Sequence, residues 1–212
     1  MTFSEKKNTI RVLCADLSAA DDRVYGRLYE MASPERKNRA DRFRRREDAL
    51  RCVAADALLR RVLGADAQRI QKTPAGKPYL PGRPGFHFNL SHGGPWAVIA
   101  FGGCEVGVDV EPLRTDRNID SIARRYFAQA EQQYVFADEA LRQRRFFEVW
   151  TGKESYLKYL GTGLTRDLTS FSILDPEPPV RLHLTFLPDG SPLSLCTTAE
   201  NYALEFINAQ DL

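Results

Sequence analysis

The chain is poor in the residues on which metal clusters, disulfide frameworks and membrane spans depend. Of its 212 residues only three are histidine, and its four cysteines, Cys14, Cys52, Cys104 and Cys196, lie far apart. No CxxC pair and no companion histidine spacing links them. A zinc site or disulfide framework therefore has no support, and reduced cytoplasmic thiols are expected. Long apolar runs are missing too. The best candidate, residues 96–101, stops at Gly102-Gly103, well short of the roughly 20 residues that cross a bilayer. The N-terminus has neither the apolar core nor the small-residue cleavage site of a secretory signal. No charge of one sign dominates: the formal net charge is +2, with 43% hydrophobic and 27% charged residues. That balance excludes a polycation and a disordered chain. A cytoplasmic protein is expected, with one compact domain or two small ones of about 100 residues.

The basic residues are unevenly spread. Between Arg36 and Arg61 lie nine arginines and one lysine against four acids. Such a stripe can attract phosphates, or it can be one solvated helix face. Ser33-Pro34 marks a helix start, since Ser33 can cap and Pro34 needs no N–H in the first turn. Helix then continues towards Leu63, with Arg44-Arg45-Arg46 as a break and Gly64 as a stop. Strands are expected at 9–17, 86–91, 96–101 and 105–110, the last two joined as a hairpin by Gly102-Gly103. Residues 73–78 form a turn, residues 119–160 read as helices, and four more strands are expected at 168–174, 180–187, 193–198 and 202–207. The order implies an α+β fold of two similar halves, with the boundary between Glu111 and Arg117.

Three segments carry candidate chemistry. In Val106-Gly-Val-Asp-Val-Glu111, residues two apart share a strand face, so Asp109 and Glu111 lie side by side. At roughly 7 Å and an effective dielectric of about 20, two carboxylates repel by roughly 2–3 kcal/mol. Solvent, an arginine or a hard divalent cation can relieve this, and Mg²⁺ suits such carboxylates with phosphate oxygens completing its shell. An exposed strand face is the ordinary alternative. In the segment 146–158, helical spacing puts Phe146, Val149, Trp150 and Leu157 on one apolar face, with Glu154 at its edge and Lys158 one turn on. Glu154 and Lys158 can be no more than a pair worth about 0.3–0.5 kcal/mol, with Lys153, inside the apolar face, snorkelling to water. In Asn89-Leu-Ser-His92, Ser91 and His92 leave a strand into a glycine turn and can donate hydrogen bonds to a phosphate. Neighbours on a strand face opposite ways, so they are poorly placed as a nucleophile pair. A capping or core role for His92 is the alternative.

In this order the pieces resemble the 4′-phosphopantetheinyl transferases of the larger, surfactin-synthetase-activating (Sfp) type. The likeness is carried by Gly76-Lys-Pro78, Phe88-Asn-Leu-Ser-His92, Gly107-Val-Asp-Val-Glu111, Trp150-Thr-Gly-Lys-Glu-Ser-Tyr-Leu-Lys158 and Gly161-Thr-Gly-Leu164, and it covers about residues 30 to 175. The resemblance implies a pseudo-symmetric α+β monomer of two similar halves, residues 1–112 and 113–212, with coenzyme A in the cleft between them. It implies transfer of the phosphopantetheine arm to a serine of an apo acyl- or peptidyl-carrier protein, releasing 3′,5′-ADP. By position, Asp109, Glu111 and Glu154 would hold Mg²⁺ (or Mn²⁺). Lys158, His92 and Ser91 would meet phosphate oxygens, and Lys77 would lie near the adenine nucleotide. Arg36, Arg39 and Arg51 would face the 3′-phosphate. Arg36 and Arg39 stand where the family often has lysine, and Cys52 where a small hydroxyl residue is common.

The expected chemistry follows from those roles. Phosphoryl transfer asks for positioning and charge neutralisation, with Glu154 as the base for the attacking serine. The carrier would dock on the region after Glu111 through about Phe136, including Tyr126 and Phe127, with an ordinary helix pair as the alternative there. Two rival readings remain at this point. One is another Mg²⁺-dependent phosphotransferase or nuclease. The other is a nucleic-acid-binding module on the arginine stripe, against which the low net charge argues. No nucleic-acid or membrane partner is expected.

Overall fold

The computed structural model of the protein describes residues 9–115, 118–163, 166–177 and 179–212. Leu164 and Arg117, named in the expectations above, lie outside the described residues. The chain opens with β1 (Thr9–Asp16) and α1 (Asp22–Met31), which is capped by the Asp21 carboxylate accepting from the Val24 N–H. The sequence reading placed no helix there, because only Val24 and Leu28 of this segment are buried and the apolar signal is thin. Next, α2 (Pro34–Ala40) starts as expected, with Ser33 Oγ accepting from Arg36 N. The arginine run is the break, and α3 (Arg46–Leu63) follows it and stops at Gly64, whose φ of +57° suits glycine.

Then come β2 (Gln71–Lys72), β3 (Pro78–Tyr79), β4 (His87–Gly93), β5 (Trp96–Gly102) and β6 (Val106–Val110). Three helices follow, α4 (Ile119–Tyr126), α5 (Gln129–Phe136) and α6 (Arg142–Leu160), before β7 (Arg181–Phe186), β8 (Pro192–Thr197) and β9 (Asn201–Asn208).

The fold is α+β. One sheet has the order β4-β5-β1-β9, with β9 parallel to β1, and a second has the order β6-β8-β7. The sheets pack face to face through Val12, Cys14 and Val98 on one side and Val108, Leu193 and Leu195 on the other. On the outer face of the first sheet, α1 and α3 bury Leu28, Val53 and Leu58 against Leu13, Phe88 and Ile99. The long α6 lies across β6 and β8. A third cluster joins α4, α5 and α6 around Phe127, Phe146 and Phe147, and burying each such ring is worth about 1.5–3 kcal/mol. Among the described residues, no helix is long and apolar enough to cross a membrane.

Four expectations are corrected. The strands β5 and β6 do not form a hairpin, because β5 already has β4 and β1 on its two edges and β6 pairs with β8. Residues 168–174 hold a short 3₁₀ turn, Leu168–Ser170, instead of a strand. Their carbonyls bond Lys153, whose ammonium is buried: it donates to Leu168 O at 2.7 Å and Phe171 O at 2.8 Å and pairs with Glu131 at 2.7 Å. Lys153 therefore does not snorkel. Phe127 is likewise buried, stacked on Phe146 at 5.3 Å, and contributes to the core, not to a docking surface.

Candidate active site

The site grows from a seam between two sheet edges. On β6, the N–H groups of Val108 and Val110 face away from β8. They donate to Asn89 Oδ1 (3.1 Å) and Ser91 Oγ (3.3 Å) of β4. Side chains, not a backbone ladder, thus complete the β6 edge, as buried donors require. The period-2 pattern of β4 makes this work, because Asn89 and Ser91 share one face. Helix α6 closes the seam from the other side at very short range. A Cβ on Gly107 would lie 2.0 Å from Ser155 O and 2.3 Å from Tyr159 N, so only glycine lets β6 approach α6. A Cβ on Gly93 would lie 2.5 Å from Val110 O.

This packing assembles a polar array. Asp109 is 5% exposed, which rules out the open strand face for it. Its Oδ1 accepts from Lys158 Nζ and from Ser91 Oγ, each at 2.7 Å. Lys158 also donates to Ser91 Oγ at 3.0 Å and Val108 O at 3.1 Å. Lys158 is therefore turned to Asp109 and not to Glu154 one helical turn back. Among the described residues, Asp109 Oδ2 is buried with no hydrogen-bond partner. Burial first, and then the negative charges of Asp109 and Glu111, raise the Glu154 carboxyl above its ordinary pKa, with Lys158 pulling the other way.

A cleft runs along the seam. Its basic part, about 320 Å³, is lined by Arg36, Arg39, Ser91, His92, Asp109 and Lys158 among others. Its more neutral part, about 310 Å³, is lined by Gly76, Lys77, Glu154, Leu157, Gly161 and Gly163, and the two share Pro78, Asn89, Leu90 and Lys158. Arg36 is steered by Asp56 at 3.6 Å, and Arg39 is exposed beside it. Desolvation of the ring, and then the cations Arg51, Lys158 and Arg39, hold His92 below its ordinary pKa. Arg51 does not line the cleft: it donates to Gly94 O at 2.6 Å and pairs with Asp48, which ties α3 to the 93–95 turn. Lys77 Nζ is held by Glu105 and Tyr159 O. Cys52 is buried in the core, its thiol 3.9 Å from Arg36 O, and does not face the cleft.

The seam thus unites Ser91, Asp109 and Lys158, with Glu154 in the adjoining wall. Sequence reasoning gave no role to Asn89 or Glu105. The alternation that singled out Ser91 also marked Asn89, whereas nothing local marked Glu105. Carboxylate oxygens are the donors a hard cation takes, and Glu154 feels the charges of Asp109 and Glu111, while Asp109 Oδ2 is buried without a hydrogen-bond partner among the described residues. Among the described residues, no three His, Cys, Asp or Glu side chains are gathered closely enough to hold an ion.

Comparison with known proteins identifies the family. Residues 105–207 match the family model described as the 4′-phosphopantetheinyl transferase superfamily, and residues 20–103 match the one described as 4′-phosphopantetheinyl transferase, N-terminal. The chain is 35% identical over 154 residues to 4′-phosphopantetheinyl transferase Sfp of Bacillus subtilis, covering 69% of this chain and 68% of the relative. It is 34% identical over 212 residues to 4′-phosphopantetheinyl transferase psf-1 of Bacillus pumilus, covering 89% and 90% respectively. With 4′-phosphopantetheinyl transferase HetI of a Nostoc species it shares 32% identity over 176 residues, covering 76% and 74%.

Proposed function

The chain belongs to the 4′-phosphopantetheinyl transferases, of the Sfp type, and from that premise we propose that it moves the 4′-phosphopantetheine arm of coenzyme A to a serine of an apo acyl- or peptidyl-carrier domain, releasing 3′,5′-ADP. The observation that carries the reading is the buried Asp109 carboxylate. One oxygen is fixed by Lys158 and Ser91, and the other is unpartnered in the wall of a cleft lined by cations. Phosphates suit that cleft.

In this reading the serine oxygen attacks the β-phosphorus of the coenzyme, a new P–O bond forms, and the bond to the departing 3′,5′-ADP breaks. The chain's own groups position and neutralise. Lys158 and His92, with Ser91 alongside, bind phosphate oxygens. Arg36 and Arg39 meet the 3′-phosphate, and Arg51 adds charge behind the 93–95 turn. Lys77 frames the neutral end, near the nucleotide. Glu154, its affinity for protons raised, accepts the serine proton, directly or through a water. Asp109, Glu111 and Glu154 would hold Mg²⁺ (or Mn²⁺), which would supply charge neutralisation on the diphosphate and the leaving ADP.

The reading extends to a cytoplasmic monomer of two similar halves, residues 1–112 and 113–212, serving fatty-acid, polyketide or non-ribosomal peptide synthases. Its support is the repetition of a long helix on a sheet, α3 on β4 and β5 and then α6 on β6 and β8. Strand β6 from the first half pairs with β8, and β9 from the second pairs with β1. The test is intact-mass measurement of an apo carrier incubated with the protein, coenzyme A and Mg²⁺. One added phosphopantetheine is expected, lost with EDTA. An unchanged mass across several carrier types overturns the proposal.

A further inference from the structure

We propose that Glu105 is a positioning residue whose ion pair with Lys77 clamps the neutral end of the cleft at the width the coenzyme's nucleotide requires. This rests on the transferase reading above and assigns Lys77 its mode of action there: the side chain shapes the wall, and it does not grip phosphate.

The argument begins with how Lys77 is held. Its backbone closes the 73–78 turn, with Thr73 N donating to Lys77 O at 2.9 Å and Lys77 N to Thr73 Oγ1 at 3.1 Å. Its ammonium donates at 2.5 Å to Tyr159 O, a carbonyl in the last turn of α6, where the helix dipole favours a cation. The same ammonium lies 2.5 Å from Glu105 Oε1. Its stem is wedged against the end of α6, because a Cβ on Gly161 would fall 2.7 Å from Lys77 Cδ. The side chain is 13% exposed, so its charge is already spent on two partners.

Glu105 is held from two further sides, with 40% of its side chain exposed. Its Oε2 lies 3.2 Å from His87 Nδ1 on β4, and its backbone carbonyl accepts from Thr197 Oγ1 on β8 at 2.9 Å. It is not among the residues lining the cleft, so its influence on a bound molecule passes through Lys77. Two parts of the chain that frame the neutral end, the 73–78 turn and the C-terminus of α6, meet at the Lys77 ammonium, and the 102–106 connection braces it from behind through Glu105. Releasing the pair leaves Lys77 only its bond to Tyr159 O and loosens the wall.

The experiment compares Glu105→Gln, Lys77→Met and the double variant. Each is titrated with coenzyme A by calorimetry and assayed for KM and kcat with an apo carrier. A coupled pair predicts that each single variant weakens coenzyme binding by about threefold to tenfold and that the double variant is no worse than either. The loss should fall on Kd and KM more than on kcat. The same cycle in Tm of the free protein reads the pair itself, without any ligand. The clamp is overturned if Lys77→Met weakens binding while Glu105→Gln does not, if the two effects simply add, or if neither moves Kd. Failure of the wild-type protein to bind coenzyme A would instead bring down the functional reading, and the Tm cycle separates the two outcomes.

Discussion

Lys158 on α6 and Asp109 on β6 stand 49 positions apart in the chain and meet at 2.7 Å, with Ser91 of β4 bonded to both. Three elements from two sheets and one helix thus end on a single carboxylate oxygen. The other oxygen of Asp109 is buried and, among the described residues, without a hydrogen-bond partner. Lys158→Met is expected to lower kcat by about 10²-fold, the usual effect of losing one preorganised charge. Asp109→Ala is expected to reduce transfer strongly, by a larger factor than Lys158→Met. Intact-mass time courses with an apo carrier measure both, and mild, equal losses would contradict the array.

Arg39 is exposed at the mouth of the basic part of the cleft. Arg39→Ala should raise the Kd for coenzyme A about tenfold, in the range of one charge-assisted hydrogen bond. It should leave the 3′-dephospho compound unmoved. Calorimetry with the two ligands decides the point, and an equal loss for both would remove the 3′-phosphate from this wall.

The buried pair of Lys153 and Glu131 sits at 1% and 0% side-chain exposure. Glu131 also accepts from Ala128 N and Ile173 N, each at 2.8 Å. Lys153→Met alone should cost roughly 3–5 kcal/mol, because it leaves a buried carboxylate charged and without its cation. Adding Glu131→Gln should restore part of that stability by removing the orphaned charge. Urea denaturation of the two variants checks this, and a double variant less stable than the single one refutes it.

Among the described residues the buried Nε2 of His183 on β7 has no hydrogen-bond partner, and burial, opposed by a backbone hydrogen bond at Ala199 and aided by Arg181, holds the imidazole below the ordinary value of 6.5. The folded state therefore resists protonation more than the unfolded chain does. Its contribution to stability is complete above about pH 6.5 and is lost as the pH falls towards the lower folded pKa. Thermal melts between pH 7.5 and pH 5, a range chosen to span that ordinary histidine pKa of about 6.5, should show a shallower decline in His183→Gln than in the wild-type protein. An unchanged slope would mean that other groups, His92 among them, carry it.

Short stretches of chain were enough to set the helix starts and stops at Ser33, Pro34 and Gly64, the face of β4 that bears Asn89 and Ser91, and the residue types of the site. Those are local matters: a capping hydroxyl, a fixed φ or an alternating strand acts within a few residues. The family resemblance was legible for the same reason, since short segments carry it. Which side chains touch was settled by packing in three dimensions. The i,i+4 spacing offered Glu154 as the partner of Lys158, but the glycine at 107 lets β6 come so close that Asp109 takes the ammonium instead. The apolar stripe of α6 left Lys153 no obvious partner until α5 brought Glu131 beneath it. Pairing of β6 with β8, and not with β5, was likewise invisible locally, because both strands are largely buried and a turn of two glycines does not fix which edge a strand will join. Desolvation and long-range contact set those outcomes, and neither is a property of any short stretch of chain.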